Sequence, residues 1–153
     1  MSARETAVGY PESVAGRVLA LDVGKKRIGL AVSDGLGLTA QGLPTLHRTR
    51  IREDLGYILD VCREHEVGLL LVGQPLHMSG DESRQGKYTK EFAERLAEYT
   101  RLPVKFLDER LTTVQAERVL KESGISIEKR AKAVDKLAAV LLLQSYLDTE
   151  GAA

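Results

Sequence analysis

With 153 residues, 43% hydrophobic and 29% charged, the chain has the size and composition of one globular domain with its own core. Its 22 Lys and Arg balance 22 Asp and Glu, so a uniformly basic nucleic-acid coat is excluded and any polyanion must meet a local patch. The single cysteine, Cys62, excludes an internal disulfide framework and a multi-cysteine zinc site, and no apolar run approaches the ~20 residues that span a bilayer.

Residues 1–16 are small, polar and aperiodic, and are expected to form a loose tail, not a secretory signal. A soluble, cytoplasmic protein without a membrane partner is the corresponding expectation. The ordered domain is expected over 17–148, with 149–153 as a short C-terminal tail. Val18-Leu19-Ala20-Leu21 is an apolar run of strand length, and Ile28, Leu30 and Val32 then alternate with small residues, the period of a second strand. A tight turn through Gly24 would join them as an antiparallel hairpin. Leu36 to Leu46 supplies a third strand, interrupted by Gly42 and Pro44.

From Arg50 the period changes. Ile51, Leu55, Ile58 and Cys62 share one face of a helix. Val67 to Val72 reads as a buried parallel strand, ended by Gly73 and Pro75. After a loop over 76–86, Tyr88, Phe92, Leu96 and Tyr99 mark the apolar stripe of a second helix. Pro103 to Leu107 is a further strand, leading into Asp108-Glu109-Arg110. A third helix, capped by Thr112 or Thr113, ends near Gly124. A basic loop (Lys129, Arg130, Lys132) precedes a last helix from about Ala133 to Leu147, apolar nearly all round between Leu137 and Leu143. A hairpin followed by alternating helices and strands predicts an α/β fold: a mixed five-stranded sheet, three antiparallel strands then parallel ones, with helices on both faces.

Three acids stand where acids are expensive. Asp22 closes an apolar strand, Glu109 (with Asp108 beside it) closes another, and Asp135 lies in the first turns of the most apolar helix. Each has an ordinary explanation: turn chemistry before Gly24, a strand-end ion pair, or a first-turn residue favoured by the helix dipole. Adjacent acids on a strand point to opposite faces, so only one of Asp108 and Glu109 can join a cluster. Ligand sites in such sheets gather at the carboxyl ends of strands. Converging carboxylates suit hard cations, Mg²⁺ or Mn²⁺, and a pair of such ions supports in-line attack of water on a phosphodiester. His47, His65 and His77 lack metal-ligand spacing, and Cys62 falls on a buried helix face, where a core thiol is expected. Lys25, Lys26 and Arg27, then Lys129, Arg130 and Lys132, flank the first and third acids and could hold phosphates.

Four blocks of sequence carry a resemblance. Leu21-Asp22-Val23-Gly24-Lys25-Lys26-Arg27-Ile28-Gly29 with Ala31 to Asp34, Val72-Gly73-Gln74-Pro75-Leu76 with Gly80, Asp108-Glu109-Arg110-Leu111-Thr112-Thr113 with Ala116-Glu117, and Val134-Asp135-Lys136-Leu137-Ala138-Ala139 with Leu143 to Leu147 together resemble the YqgF (RuvX) family over roughly residues 17–148. Gln74 stands where that family usually has an apolar residue. The resemblance implies an RNase H-like fold and a metal-dependent nuclease maturing the 5′ end of pre-16S ribosomal RNA, with branched DNA as the second substrate class. It implies Asp22, Glu109 and Asp135 as the catalytic, metal-binding set, choosing Glu109 over Asp108. Lys25, Arg27, Arg110 and Lys136 are candidates for phosphate contact. A junction-cleaving enzyme is expected to act as a homodimer so that two cuts are symmetric, whereas an RNA-trimming enzyme need not. Two rivals are a two-domain ATPase of the sugar-kinase and actin type, for which the chain is too short, and a non-catalytic RNA-binding assembly factor. The absence of Trp and the scarcity of Phe and Tyr speak against a base-stacking platform for the latter.

Overall fold

The computed structural model describes residues 16–75, 84–108 and 127–150, with side chains in the last helix from 137 to 149. Strands β1 (Arg17–Val23), β2 (Arg27–Ser33) and β3 (Ala40–His47) are followed by α1 (Ile51–Glu64), β4 (Val67–Gln74), α2 (Arg84–Thr100), β5 (Val104–Asp108) and α3 (Ile127–Glu150). The five-stranded sheet has the order β3-β2-β1-β4-β5. The β1–β2 and β2–β3 pairs are antiparallel, and β4 and β5 continue from β1 in parallel, as predicted. The expected third helix lies outside the described residues.

The two faces of the sheet are built differently. Leu19, Leu21 and Val23 of β1 and Ile28, Leu30 and Val32 of β2 pack with Leu70 and Val72 of β4 against Leu55, Ile58 and Cys62 of α1 and Phe92 and Leu96 of α2. The opposite face presents Ala20, Ala31 and Leu71 to Ala139, Leu142, Leu143 and Leu147 of α3. Ala20 and Ala31 are direct cross-strand partners. Small side chains there let α3 lie close to the sheet, and close packing of this kind tolerates little change of volume.

Four expectations are corrected. Positions 129, 130 and 132 are helical backbone in α3, not loop; Lys and Arg are good helix formers, and no Gly or Pro interrupts that stretch. That helix therefore starts at Ile127, before Ala133. Tyr99 does not complete the buried stripe of α2: it is 45% exposed, while Thr89, Ala93 and Thr100 share the buried face. The third strand starts at Ala40, because the turn before it is closed by Asp34, whose carboxylate accepts the Leu38 N–H at 2.8 Å. Those hydrogen bonds, the Leu38 one foremost, hold the Asp34 carboxyl below its ordinary 3.8.

Candidate active site at the carboxyl end of the sheet

Asp22 is half-buried, one residue before the end of the central strand β1. Strand alternation sets its direction. Leu19, Leu21 and Val23 belong to the α1/α2 side and Val18 and Ala20 to the α3 side, so Asp22 faces α3. Its cross-strand partner on β2 is Gly29, and the β4 position beyond the Leu21–Val72 pair is Gly73. Both neighbours lack side chains, so no side chain of β2 or β4 projects beside the carboxylate at the end of three parallel strands.

The same alternation sorts the other candidates. Asp108 is the last residue of β5, exposed, and in phase with Val104 and Phe106, which pack on the α1/α2 side. It is therefore on the opposite face from Asp22. Leu107 belongs to the α3 side, and Glu109, like Arg110, lies outside the described residues. Position 135 lies within α3, four residues before buried Ala139 and seven before Leu142. The side chains of Asp135 and Lys136 lie outside the described set. Among the described residues, no three His, Cys, Asp or Glu side chains form a metal-binding group.

Lys25 and Lys26 are exposed in the β1–β2 turn, and Arg27 opens β2 in phase with Gly29, on the Asp22 side. The turn is tight. The Gly24 N–H donates to the Arg27 carbonyl at 2.9 Å, and a Cβ on Gly24 would sit 2.7 Å from that oxygen.

Arg48, just after β3, belongs to no motif or apolar period, yet it organises this end of the molecule. Its backbone N–H donates to the Lys26 carbonyl at 2.9 Å, and its guanidinium donates to the Gly24 carbonyl at 3.2 Å and to the Tyr88 hydroxyl. Nε donates at 3.1 Å to Asp54, a carboxylate 1% exposed that also accepts the Thr49 N–H and hydroxyl. The guanidinium lies 4.8 Å from the Phe92 ring centre and 5.5 Å from that of Tyr88. Gln85, in the first turn of α2, donates to the Val23 carbonyl at 3.1 Å. Three segments are thus joined: the β1–β2 turn, the β3–α1 connection and the start of α2. No sequence signal points to Arg48; the pairing of Arg27 with His47 carries the chain past the turn and brings it there.

The other candidates fall away. Ser33 is buried and accepts the Val18 N–H at 2.8 Å. Burial pushes the Cys62 thiol up from its ordinary 9.0 to about 11, so it is a poor nucleophile. Among the described residues, no helix is long and apolar enough to cross a membrane.

Comparison with known proteins identifies the fold and the family. Among solved structures, RuvC from Thermus thermophilus in complex with a Holliday junction substrate covers 89% of this chain and 96% of its own, at 19% identity and a TM-score of 0.53. A fowlpox virus resolvase solved with Holliday junction DNA covers 88% and 98%, at 14% identity and a TM-score of 0.52. These likenesses show the RNase H-like fold. A curated protein of Koribacter versatilis, named "Putative pre-16S rRNA nuclease", is 51% identical over 141 residues, 92% of each chain. A protein of the same name from Clostridium novyi is 48% identical over 133 residues, 87% of this chain and 98% of its own. The family model described as "RuvX: Holliday junction resolvase" matches residues 16–149, and the chain belongs to that family.

Proposed function

We propose that this protein is a divalent-metal-dependent nuclease that hydrolyses phosphodiester bonds in RNA, trimming the 5′ end of pre-16S ribosomal RNA. The carrying observation is the half-buried Asp22 carboxylate at the carboxyl end of the central strand, facing α3 between two glycine positions. Register supports Asp135 as its partner. The Gln144 amide group of α3 accepts the Ala40 N–H and donates to the Leu38 carbonyl, which sets Gln144 level with the Ser33–Ala40 pair. Nine residues of helix back to position 135 rise about 13 Å. Four strand residues from Ser33 to Gly29, the partner of Asp22, also cover about 13 Å. Leu107, the last α3-side residue of β5, lies two positions before Glu109 in the chain, which is why Glu109 is proposed as the third carboxylate.

Carboxylate oxygens from Asp22, Glu109 and Asp135 fit Mg²⁺ or Mn²⁺, which prefer hard oxygen donors. Bound there, such an ion would neutralise phosphate charge and make water more acidic. The chain itself supplies the rest. The glycine neighbours of Asp22 carry no side chain that would compete with a phosphate, and Arg27, on the same face, is the proposed guanidinium contact to a non-bridging oxygen. Lys25, Arg110 and Lys136 are the remaining candidates for contact with the phosphate backbone.

Asp22→Asn preserves size and removes charge. With a precursor rRNA fragment and Mn²⁺ or Mg²⁺, it is expected to cleave at least about 100-fold more slowly, a loss of ~2.7 kcal/mol of transition-state stabilisation, with an unchanged circular-dichroism spectrum. Equal cleavage by mutant and wild type would refute the site. Branched DNA is the second substrate class, favoured by the family's resolvase description. A four-way junction assayed beside the RNA decides between them, and the mass in solution shows whether the protein acts as a homodimer.

A further inference from the structure

The neutral total charge conceals a polarised molecule. The carboxyl end of the sheet gathers Lys25 and Lys26 in the β1–β2 turn, Arg50 and Arg52 at the start of α1, and Arg84 and Lys87 in the first described turn of α2, against the exposed acids Glu53 and Asp108. All six cations are exposed, and none makes an ion pair among the described residues. The hydrogen bonds of Arg48 and Gln85 described above hold the three segments together, so these cations form one surface. Arg48 itself is neutralised by Asp54 and acts as the brace. At the other end of the sheet, Asp34, Asp60, Glu64, Glu66 and Glu98 outnumber Arg17, Arg63 and Arg101.

Two features of the helix starts bear on this excess of cations. The positive end of a helix dipole favours acids in the first turn and disfavours cations. The first described turn of α2 carries Arg84 and Lys87 and no acid, and at the start of α1 Arg50 and Arg52 stand beside Glu53 and Asp54, the latter already paired with Arg48. The N-cap of α1 is Arg50, whose side chain makes no capping hydrogen bond. Like charges concentrated at two helix N-termini repel one another until an anion joins them.

We propose that Arg50, Arg52, Arg84 and Lys87, with the Lys25–Lys26 turn, form a phosphate track on the α1/α2 side of the sheet, across which the RNA backbone passes on its way to Asp22 on the α3 side. The proposal rests on the nuclease reading and adds where the substrate enters. Nucleic acid then crosses the ends of the strands from one face to the other. These contacts are to phosphates, so they set affinity and register without reading sequence.

The test is fluorescence anisotropy with a labelled single-stranded precursor rRNA fragment in EDTA, from 50 to 250 mM salt. In the fourfold variant R50Q/R52Q/R84Q/K87Q, the dependence of log affinity on log salt is expected to flatten by about 3, at ~0.7 per lost phosphate contact. Affinity at 100 mM salt is expected to fall more than about tenfold. R63Q/R101Q, at the opposite end, is expected to match wild type. The urea midpoint of the fourfold variant is expected to stay level or rise, since the dipole no longer meets cations. An unchanged salt slope in the fourfold variant overturns the track, as does an equal loss in R63Q/R101Q. Wild type that binds RNA through the track but cleaves nothing with Mg²⁺ or Mn²⁺ overturns the nuclease reading and leaves the track standing.

Discussion

Replacing Arg48 with Met tests whether the brace beneath the β1–β2 turn is as important as its contacts suggest. Methionine keeps most of the aliphatic volume against Phe92 and Tyr88 but removes the donors to Asp54 and to the Gly24 carbonyl. Asp54 is 1% exposed and would keep only the Thr49 N–H and hydroxyl. Removing one partner of a buried ion pair costs ~3–5 kcal/mol, because the other charge stays desolvated. The two remaining donors to Asp54, and the 10% exposure of Arg48, put the expectation at the low end, about 3 kcal/mol. For a domain of this size that lowers Tm by roughly 6–12 °C. Urea unfolding followed by circular dichroism measures the loss directly. The double variant R48M/D54N removes the stranded charge while Asn keeps the Thr49 contacts, so it is expected to be less destabilised than the two single losses summed, by about 1–2 kcal/mol. A loss below about 1 kcal/mol in Arg48→Met, or strict additivity in the double variant, would refute the reasoning.

Gly24→Ala forces a Cβ against the Arg27 carbonyl, and backbone must shift to relieve it; about 1–3 kcal/mol of destabilisation is expected, together with weaker RNA binding through the displaced Lys25–Lys26 turn. Leu142→Ala empties a fully enclosed position between α3 and the sheet and is expected to cost ~2–5 kcal/mol in urea unfolding. Because the Cys62 thiol titrates near 11 in the folded protein against 9.0 ordinarily, alkylation by iodoacetamide at pH 8 is expected to be about 100-fold slower than in 6 M urea. The raised value also has a definite sign for stability. Its contribution is intact below pH 9.0 and is lost as pH rises toward 11, since only the unfolded chain ionises readily in that window.

Much of the architecture is legible in the one-dimensional pattern. The apolar run Val18 to Leu21, the alternation from Ile28 to Val32 and the helical spacing of Ile51, Leu55, Ile58 and Cys62 each state an element type through short-range geometry, and the elements form as read. Asp22 stands out for the same reason: an acid ending an apolar strand is costly wherever the strand is placed. The periodicity fails where burial depends on a distant partner. Tyr99 fits the helical stripe of α2 but lies on the exposed side, and the basic stretch before Ala133 is helix.

Facing and proximity were decided only by the tertiary structure. Whether Asp108 shares a side with Asp22 follows from strand register, which long-range pairing sets; the register puts it on the α1/α2 side. Arg48 carries no motif, and its importance comes from meeting Gly24, Asp54 and Tyr88, which are 24, 6 and 40 residues away along the chain. The exposed cations of three separate segments likewise become one surface only when the β1–β2 turn, the start of α1 and the start of α2 are brought to the same end of the sheet. Local spacing determines what each segment is, whereas contacts between remote segments exist only once the sheet has closed, and a charge pattern summed along the chain to zero cannot reveal them.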